Sequence, residues 1–346
     1  MLCQTNFCGI DVSKDSLDYI VLQSNEDTRL NTRKLKEKAK SFTRIQNDLS
    51  SIAQEFGKAR FDDTLFILEA TGSYSSKLIH QLRELGRPLS VVSPYRSKSY
   101  MDSKGVTNKN DKVAAYCLAA LGKSEPLRLY KAPSTDMQQR KQTLSVQRAL
   151  EKQERQLLNQ IHALEQYAIP NTEAIESLRI ILNSVQAQLT TIETKIYQPA
   201  EDPEYAEKLE YGTSVKGIGT KTAEAILLVT SGLTEFEESA SVVKFLGIAP
   251  GSHQSGSSIN KRKRMTKFGS NQVRSLLYMC TRSAIRYNLP CKRLYERLRN
   301  RGKSHKVAAG AVMNKLVRQF YTCVMSRTMF DNEHEAKQYA DRQAKK

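Results

Sequence analysis

Apolar residues in the first 120 positions occur in short runs separated by polar turns. Some runs are rich in β-branched residues and bounded by turn residues, as in strands, and others have the spacing or the alanine content of helices. Strands that alternate with helices predict an α/β layer fold. The predicted elements are two strands within 7–22 around a turn at 13–16, a helix ending at about 56, a strand at 64–69, a helix at about 75–85, a strand at 88–92 and a helix at 111–121.

The pattern changes between residues 137 and 198, where glycine is absent and Pro170 is the only proline. Leucine and isoleucine recur at helical spacing on both sides of 169–171, which predicts two long helices in an antiparallel hairpin or coiled-coil arm. A plain connector bundle is the alternative. The predicted division is an α/β domain at 1–130, a helical coiled-coil connector at 131–204, a mainly helical domain at 205–330 and a polar tail at 331–346.

Charge narrows the class of partner. The formal net charge is +18, and an excess of Lys and Arg on this scale favours a polyanion. Residues 255–306 carry fifteen of these cations and a single acid, Glu296, whereas a face that is merely solvated mixes both signs. This segment therefore predicts contact with nucleic acid.

Neither a membrane segment nor a disulfide framework is indicated. No apolar run reaches the length of a membrane span, and the first residues lack the layout of a signal peptide. The six cysteines are scattered without a Cys-x-x-Cys pair. Buried thiols in a reducing cytosol are therefore favoured over a zinc site or disulfides, and we expect a cytoplasmic protein.

Three carboxylates of the α/β part are candidate metal ligands and catalytic residues. Asp11 lies in an apolar strand, Glu69 ends another strand, and Asp111 begins a helix. A buried carboxylate is costly unless it is paired or bound to metal, and oxygen ligands at converging strand ends suit Mg²⁺. The structural alternative makes Asp11 a turn residue and Asp111 a helix N-cap.

A Gly-Ile-Gly turn joins two predicted short helices within 214–227. This arrangement resembles a helix-hairpin-helix, which offers backbone N–H groups at a helix N-terminus to a phosphate. Such turns also join helices that bind no ligand, so nucleic-acid binding is a hypothesis here. Its candidate contacts are Lys216, Gly217, Gly219 and Lys221.

Ser255 lies in a loop of small residues shortly before a basic run. Small residues let a hydroxyl approach a phosphodiester closely, and adjoining cations stabilise the transition state of its displacement. Ser255 is therefore a candidate nucleophile and His253 a candidate proton acceptor, the alternative being an ordinary loop beside an idle histidine. The candidate phosphate-binding cations are Lys261, Arg262, Lys263, Arg264, Lys267 and Arg274.

Together these segments resemble the transposases of the insertion-sequence-110 family, which are related to the pilin-gene DNA invertases. The resemblance covers nearly the whole chain and rests on the motifs at 9–14, 69–72, 94–111, 215–219, 246–250, 254–256 and 267–270. It implies an RNase H-like (RuvC-type) N-terminal domain, a helical arm, and a C-terminal domain with a serine nucleophile. By position, Asp11, Glu69 and Asp111 match the first three acids of an Asp-Glu-Asp-Asp magnesium site, and Ser255 matches the nucleophile.

The resemblance also implies partners. Members of this bacterial family are guided by a structured noncoding bridge RNA that pairs with double-stranded donor and target DNA. They act as homo-oligomers, dimers or tetramers, whose composite sites join the acidic domain of one subunit to the serine domain of another. The expected location is the nucleoid.

The match fails at the fourth acid. The family's helix reads Asp-x-x-Asp-Ala, which places two carboxylates one turn apart on one face. Here Ala114 occupies the second slot, and Asp102 lies too far upstream to replace it. A lineage that tolerates three acids, a decayed copy and a deliberate inactivation all fit this departure, which bears on catalysis rather than on binding.

The sequence therefore predicts an RNA-guided DNA recombinase that cuts and rejoins DNA through a phosphoserine at Ser255, with Mg²⁺ at the acidic site. One alternative is a metal-dependent endonuclease of the Holliday-junction type, in which water attacks and Ser255 is only loop. The other is a nucleic-acid-binding protein without catalysis, which Ala114 favours.

Overall fold

The computed structural model describes residues 5–14, 16–28, 38–43, 49–70, 72–106, 110–196, 198, 200–251, 254–255, 259–260 and 265–333. The chain divides into two compact units, Met1–Lys131 and Ala132–Lys346. Each unit has its own apolar core.

The first unit is built on a mixed sheet. Its strands are β1 (Asn6–Val12), β2 (Ser16–Gln23), β3 (Lys40–Thr43), β4 (Thr64–Glu69) and β5 (Leu89–Val92). Their order is β3-β2-β1-β4-β5, in which β1, β4 and β5 run parallel and β2 is antiparallel to both of its neighbours. The predicted α/β fold and four of these strands are confirmed, whereas the short edge strand β3 was not predicted.

Helices cover this sheet. They are α1 (Leu49–Phe56), α2 (Ser76–Glu84), α3 (Pro94–Ser103) and α4 (Asp111–Ser124). The helix α4 lies directly on β1, because a Cβ at Gly9 would collide with the Ala115 carbonyl and the Ala119 amide. Farther along α4, a Cβ at Gly122 would lie 3.4 Å from Phe7. Since Phe7 precedes Gly9 while Gly122 follows Ala119, α4 runs antiparallel to β1 and points its N-terminus at the carboxyl end of the strand.

The second unit is helical apart from a small hairpin, within the residues that the structure describes. Its helices are α5 (Thr135–Glu165), α6 (Thr172–Ile196), α7 (Pro203–Ser214), α8 (Thr220–Val229), α9 (Ser239–Phe245), α10 (Asn271–Tyr287), α11 (Leu289–Asn300) and α12 (His305–Ser326). The hairpin strands are β6 (Gln254–Ser255) and β7 (Ile259–Asn260). No helix of the described part is both long and apolar enough to cross a membrane.

Helices α5 and α6 form the predicted two-helix arm. They pack through a seam of apolar side chains at helical spacing, namely Leu157, Ile161, Ile175, Leu182 and Val185. The chain reverses at residues 166–171, where Pro170 prevents α5 from continuing. The expectation of two long helices broken near this position is therefore confirmed.

A buried ionic cluster fixes the base of the arm. The guanidinium of Arg140 donates to the Glu224 carboxylate at 3.3 Å and to the Ile196 carbonyl at 2.8 Å, and Asp136 accepts from it at 3.0 Å. Burial raises the pKa of Glu224, although Arg140 opposes that shift. The cluster therefore joins α5, the end of α6 and α8 through a cation whose loss would leave a buried carboxylate without its partner.

Candidate active site

Asp11 and Glu69 lie side by side at the carboxyl end of the sheet. The parallel pairing of β1 and β4 runs up to Ile10 opposite Leu68, so the next residue of each strand is one of the two acids. Because side chains alternate along a strand, Asp11 shares the face of Gly9, and Glu69 shares the face of Ile67, which packs in the core beneath α4. Both carboxylates therefore project toward α4, and both are half-buried. The alternative that Asp11 is a turn residue is wrong, since it belongs to β1.

The first turn of α4 approaches the same edge. Asp111 is the first helical residue and is exposed, whereas the N-cap is Asn110, whose side chain accepts from the Val113 amide at 2.8 Å. The alternative that Asp111 caps the helix is therefore wrong. Asp111 lies one turn before Ala115, on the stripe that contacts β1.

Ala114 belongs to this sheet-facing side as well. It lies one turn before Leu118, whose Cβ would be 3.0 Å from a Cβ at Gly9, and its side chain is 3 % exposed. Position 114, which matches the fourth acid of the resembled family, therefore faces the sheet, and here it carries a methyl group.

Asp18 is a further carboxylate of this edge, and sequence reasoning missed it. It lies directly opposite Asp11 in the antiparallel β1–β2 pair and is 7 % exposed. Because side chains alternate along a strand, Asp18 shares the face of Ile20 and Leu22, whose side chains lie in the core beneath α4. The sequence signal that could have identified Asp18 is a carboxylate at a buried position of an apolar strand.

The donor set fits Mg²⁺ in its chemistry. Asp11, Glu69 and Asp111 supply the hard oxygen ligands that this ion takes in proteins, and the backbone brings all three to one edge of the sheet. Among the residues described, no three His, Cys, Asp or Glu side chains are grouped closely enough to hold an ion. The sheet and α4 therefore bring the candidate ligands to one edge without grouping their side chains around a single ion position.

Ser255 lies in the small hairpin, a feature that was predicted only as a loop. Gln254 pairs with Asn260, and Ser255 pairs with Ile259. The structure describes the backbone of Ser255, whereas its side chain, His253 and the cations Lys261, Arg262, Lys263 and Arg264 lie outside the described residues.

A backbone clamp holds both ends of this hairpin segment. The amides of Thr266 and Lys267 donate to the carbonyls of Ala249 and Gly247 at 3.1 and 3.0 Å. The two chain segments touch so closely that a Cβ at Gly247 would lie 2.7 Å from the Gly269 nitrogen. The segments at 247–249 and 266–269, on either side of the hairpin, are therefore joined by backbone hydrogen bonds and close packing.

Two predicted phosphate-binding cations take part in the clamp. Lys267 is exposed and adopts the left-handed conformation, with φ 61°. Arg274 is half-buried, and its guanidinium donates to the Gly269 carbonyl and, at 3.5 Å, to the Leu246 carbonyl. Arg274 thus braces the clamp, and phosphate binding by either cation stays a prediction.

The clamp predicts opposite responses to two neighbouring substitutions. Gly269→Ala would drive a Cβ into the Phe245 carbonyl and the Leu246 backbone, and we expect it to destabilise the second unit by about 2–4 kcal/mol. Lys267→Gly should be neutral or stabilise by up to about 1 kcal/mol, because glycine adopts a positive φ without steric cost. Urea unfolding followed by circular dichroism measures both. Equal destabilisation by the two would contradict the clamp described above.

The predicted Gly-Ile-Gly turn lies within residues 215–219 and joins α7 to α8, whereas the helix-hairpin-helix assignment stays a prediction. Gly217 has φ 106° and packs against Ala284. The side-chain amide of Asn288 donates to the Lys216 carbonyl at 3.1 Å. The end of α10 therefore fixes the turn.

The candidate contacts of this turn differ in their surroundings. Lys216 and Gly219 are exposed, and Gly219 is the N-cap residue of α8. Lys221 is half-buried and pairs with the Glu151 carboxylate of the arm at 3.1 Å. An anion would therefore meet Lys216 and the start of α8 before Lys221, and phosphate binding at the turn stays a prediction.

The described cysteines offer no competing nucleophile. Burial raises the pKa of the Cys280 thiol, and it raises the pKa of Cys117 to about 11. These thiols therefore stay protonated near neutral pH. The prediction of buried thiols is confirmed for the described cysteines, which are Cys8, Cys117, Cys280, Cys291 and Cys323.

Two protein-family models match the chain in order. One is described as a transposase of the IS110 DEDD type and matches residues 8–169. The other is described as the IS116/IS110/IS902 transposase family and matches residues 210–296. The first match contains the acidic edge of the sheet, and the second contains the turn between α7 and α8 and the serine hairpin.

Two of the curated relatives match 64 % and 95 % of this chain. The pilin gene-inverting protein of Moraxella lacunata is 27 % identical over 337 residues, which are 95 % of this chain and 99 % of that protein. The IS1111A transposase of Coxiella burnetii is 24 % identical over 64 % of this chain and 66 % of its own length. Among solved structures, Thermus thermophilus RuvC with a Holliday junction substrate aligns to 36 % of this chain and 99 % of its own, at 11 % identity and a TM-score of 0.25. A score this low does not support a fold assignment.

Proposed function

The chain belongs to the IS110 family of transposases, and from this premise we propose that it cuts and rejoins DNA as a recombinase of a mobile element. One observation carries the proposal: β1, β4 and the start of α4 bring Asp11, Glu69 and Asp111 to one edge of the sheet. The first unit would be an RNase H-like domain, which the sheet order with a single reversed strand supports.

The acidic edge would position a phosphate. Asp11, Glu69 and Asp111 would hold Mg²⁺, which when bound neutralises charge that develops on the scissile phosphate. Asp18, buried opposite Asp11, adds negative charge to the same face of the sheet and so strengthens its attraction for a cation.

Ser255 would supply the nucleophile. Its hydroxyl oxygen attacks phosphorus and loses its proton to a base, while the bond from phosphorus to the sugar oxygen breaks and that oxygen takes up a proton. The resulting phosphoserine keeps one phosphoester bond for each bond broken. A sugar hydroxyl of a second DNA end then attacks the phosphoserine, restores a phosphodiester and releases the serine. The clamp between 247–249 and 266–269 supports this role, because it brings together the two chain segments that flank the serine hairpin.

The partners would be double-stranded donor and target DNA, a structured guide RNA and further copies of this chain. The exposed cations of α10 and α11 support the nucleic-acid partners. The long arm of α5 and α6 would take part in assembly between subunits.

A second candidate function is nucleic-acid binding without catalysis. Ala114 favours it, because a methyl group stands where the resembled family has a carboxylate. A metal-dependent endonuclease, in which water replaces Ser255 as nucleophile, differs from the recombinase by leaving free DNA ends.

The acidic site is tested by Asp11→Asn. We expect recombination of a plasmid carrying the element ends, assayed with Mg²⁺ and RNA transcribed from the element flank, to fall roughly 100-fold or more, because a metal ligand loses its charge. The matched control is Asp102→Asn, which removes an exposed carboxylate of α3 in the same unit and should keep parental activity. Full activity of a folded Asp11→Asn protein would remove the acidic edge from the mechanism.

A further inference from the structure

Three helices of the second unit meet at a basic and aromatic surface that the proposed chemistry leaves unused. We call it the three-helix patch. Most of its members are exposed, and Tyr295 is half-buried. The patch consists of Tyr278 and Arg282 on α10, Tyr295 and Arg299 on α11, and His305 and Lys306 at the start of α12.

The rings of this patch contact one another. The Tyr295 hydroxyl lies 2.8 Å from His305 Nδ1, and the Tyr278 hydroxyl lies 3.5 Å from His305 Nε2. The Tyr295 and His305 rings meet edge to face, with centroids 5.8 Å apart. His305 therefore holds the two tyrosines, from different helices, in one fixed group.

Most of the packing between the three helices lies beneath these rings. Buried side chains join the helices beneath the surface, among them Leu277 and Cys280 on α10, Cys291 on α11 and Val312 on α12. Tyr278, by contrast, is 39 % exposed. Tyr295 packs against this core, whereas Tyr278 presents apolar surface to solvent.

Cations accompany each ring at one-turn spacing. Arg282 follows Tyr278 by four residues and Arg299 follows Tyr295 by four, so each pair shares a helix face. Lys306 directly follows His305. A ring beside a guanidinium or an ammonium group matches the two parts of an unpaired nucleotide, which are a flat base that stacks and a phosphate that pairs with charge.

We infer that the three-helix patch binds an unpaired segment of nucleic acid, with a base stacked on Tyr278 and the flanking phosphates contacted by Arg282, Arg299 and Lys306. The inference rests on the proposed function, because it deepens the contact with nucleic acid. A duplex hides the faces of its bases within the stack and would use the cations alone. The exposed rings therefore select a single-stranded or looped partner, whether DNA or RNA.

The absence of tryptophan from the chain makes a direct test available. Tyr278→Trp places a single tryptophan in the patch and keeps a stacking ring. We expect an unlabelled 24-nucleotide oligo-dT or oligo-U to quench its emission, because a stacked base quenches indole, and a 24-base-pair duplex to leave it largely unchanged. The control is Tyr167→Trp, at an exposed tyrosine (67 %) beside the turn of the arm, where no quenching is expected. Quenching by oligo-U alone would identify RNA as the partner of the patch.

Affinity gives a second readout in the full-length protein. We expect Tyr278→Leu to weaken binding of the labelled 24-nucleotide strand roughly 10-fold, as for loss of one stacking contact, with duplex binding unchanged. Tyr278→Phe keeps the ring and should bind as the parent does. Arg282→Ala should weaken strand binding and reduce its dependence on salt. Circular dichroism checks that each variant is folded.

Several outcomes would overturn the inference. They are equal quenching of the two tryptophan reporters, equal quenching by strand and duplex, and parental strand binding by a folded Tyr278→Leu protein. Failure of the patch and failure of the proposed function are separable. A Tyr278→Leu protein that binds normally refutes the patch and leaves recombination standing, whereas loss of strand binding in a chain without strand transfer supports the patch alone.

Discussion

Ser255→Ala is expected to abolish strand transfer, with a loss of roughly 1000-fold or more, because no neighbouring hydroxyl takes the place of a positioned nucleophile. The same substitution should eliminate a covalent protein–DNA adduct. The measurement is incubation of the chain with Mg²⁺, element-end DNA and RNA from the element flank, followed by mass spectrometric mapping of any DNA-linked peptide. In the parental chain the link is expected on Ser255.

The loop supplies its own control for this experiment. Ser257 lies two residues further along in the same small-residue segment, so Ser257→Ala removes a hydroxyl of the same kind and should keep both adduct and strand transfer. Free cut ends without an adduct would assign the chain to the hydrolytic endonucleases. An adduct that persists in Ser255→Ala would locate the nucleophile elsewhere.

The base of the hairpin, rather than the serine itself, is the reason to expect that Ser255 acts as the nucleophile. Gly247 and Gly269 allow two backbone segments to approach closer than any side chain permits, and the Thr266 and Lys267 amides pair across them. A nucleophile must be held near its target atom to gain the advantage of an intramolecular reaction. Gly247 and Gly269 would therefore contribute to positioning Ser255, although neither carries chemistry.

The sequence predicted the elements that local patterns determine. The apolar run that ends at Glu69 is β4, and Asp11 lies in the first of two strands around the turn at 13–16. The alanine-rich helix starts at Asp111 as expected. In each case a buried strand or helix needs the same apolar pattern in almost any tertiary context. The acidic edge could therefore be predicted from two strand ends and the start of one helix.

Other features depend on distant parts of the chain, and no local pattern carries them. The short edge strand β3 exists because β2 offers it a partner. Arg274, predicted as a phosphate contact, also donates to the carbonyl of Leu246, 28 residues earlier. Lys221 is paired with Glu151, 70 residues away in sequence. Pairings of this kind are set by the folded structure, and periodicity in one segment does not encode them.

Ala114→Asp is expected to have the second large effect, and its sign depends on metal. Residue 114 is buried on the sheet-facing side of α4, one turn before Leu118, which packs at Gly9. Without Mg²⁺ a fourth carboxylate there adds a buried charge beside like charges, and we expect destabilisation of the first unit by about 2–4 kcal/mol. With Mg²⁺ the same carboxylate becomes a ligand, so the melting temperature should recover and strand transfer should rise above that of the parent.

Ala114→Asn separates charge from size in this test. It has nearly the same volume as the aspartate and is a far weaker ligand for Mg²⁺, so it should be destabilised without recovery when the ion is added. Thermal unfolding of the parent, Asp and Asn variants with and without Mg²⁺ measures the effect on stability. The adduct assay measures the effect on catalysis. If Mg²⁺ stabilises the Asp variant and activity appears only in it, the alanine is what holds the enzyme inactive. If the ion fails to restore the Asp variant, position 114 is ordinary core and the three remaining acids must account for any activity of the chain.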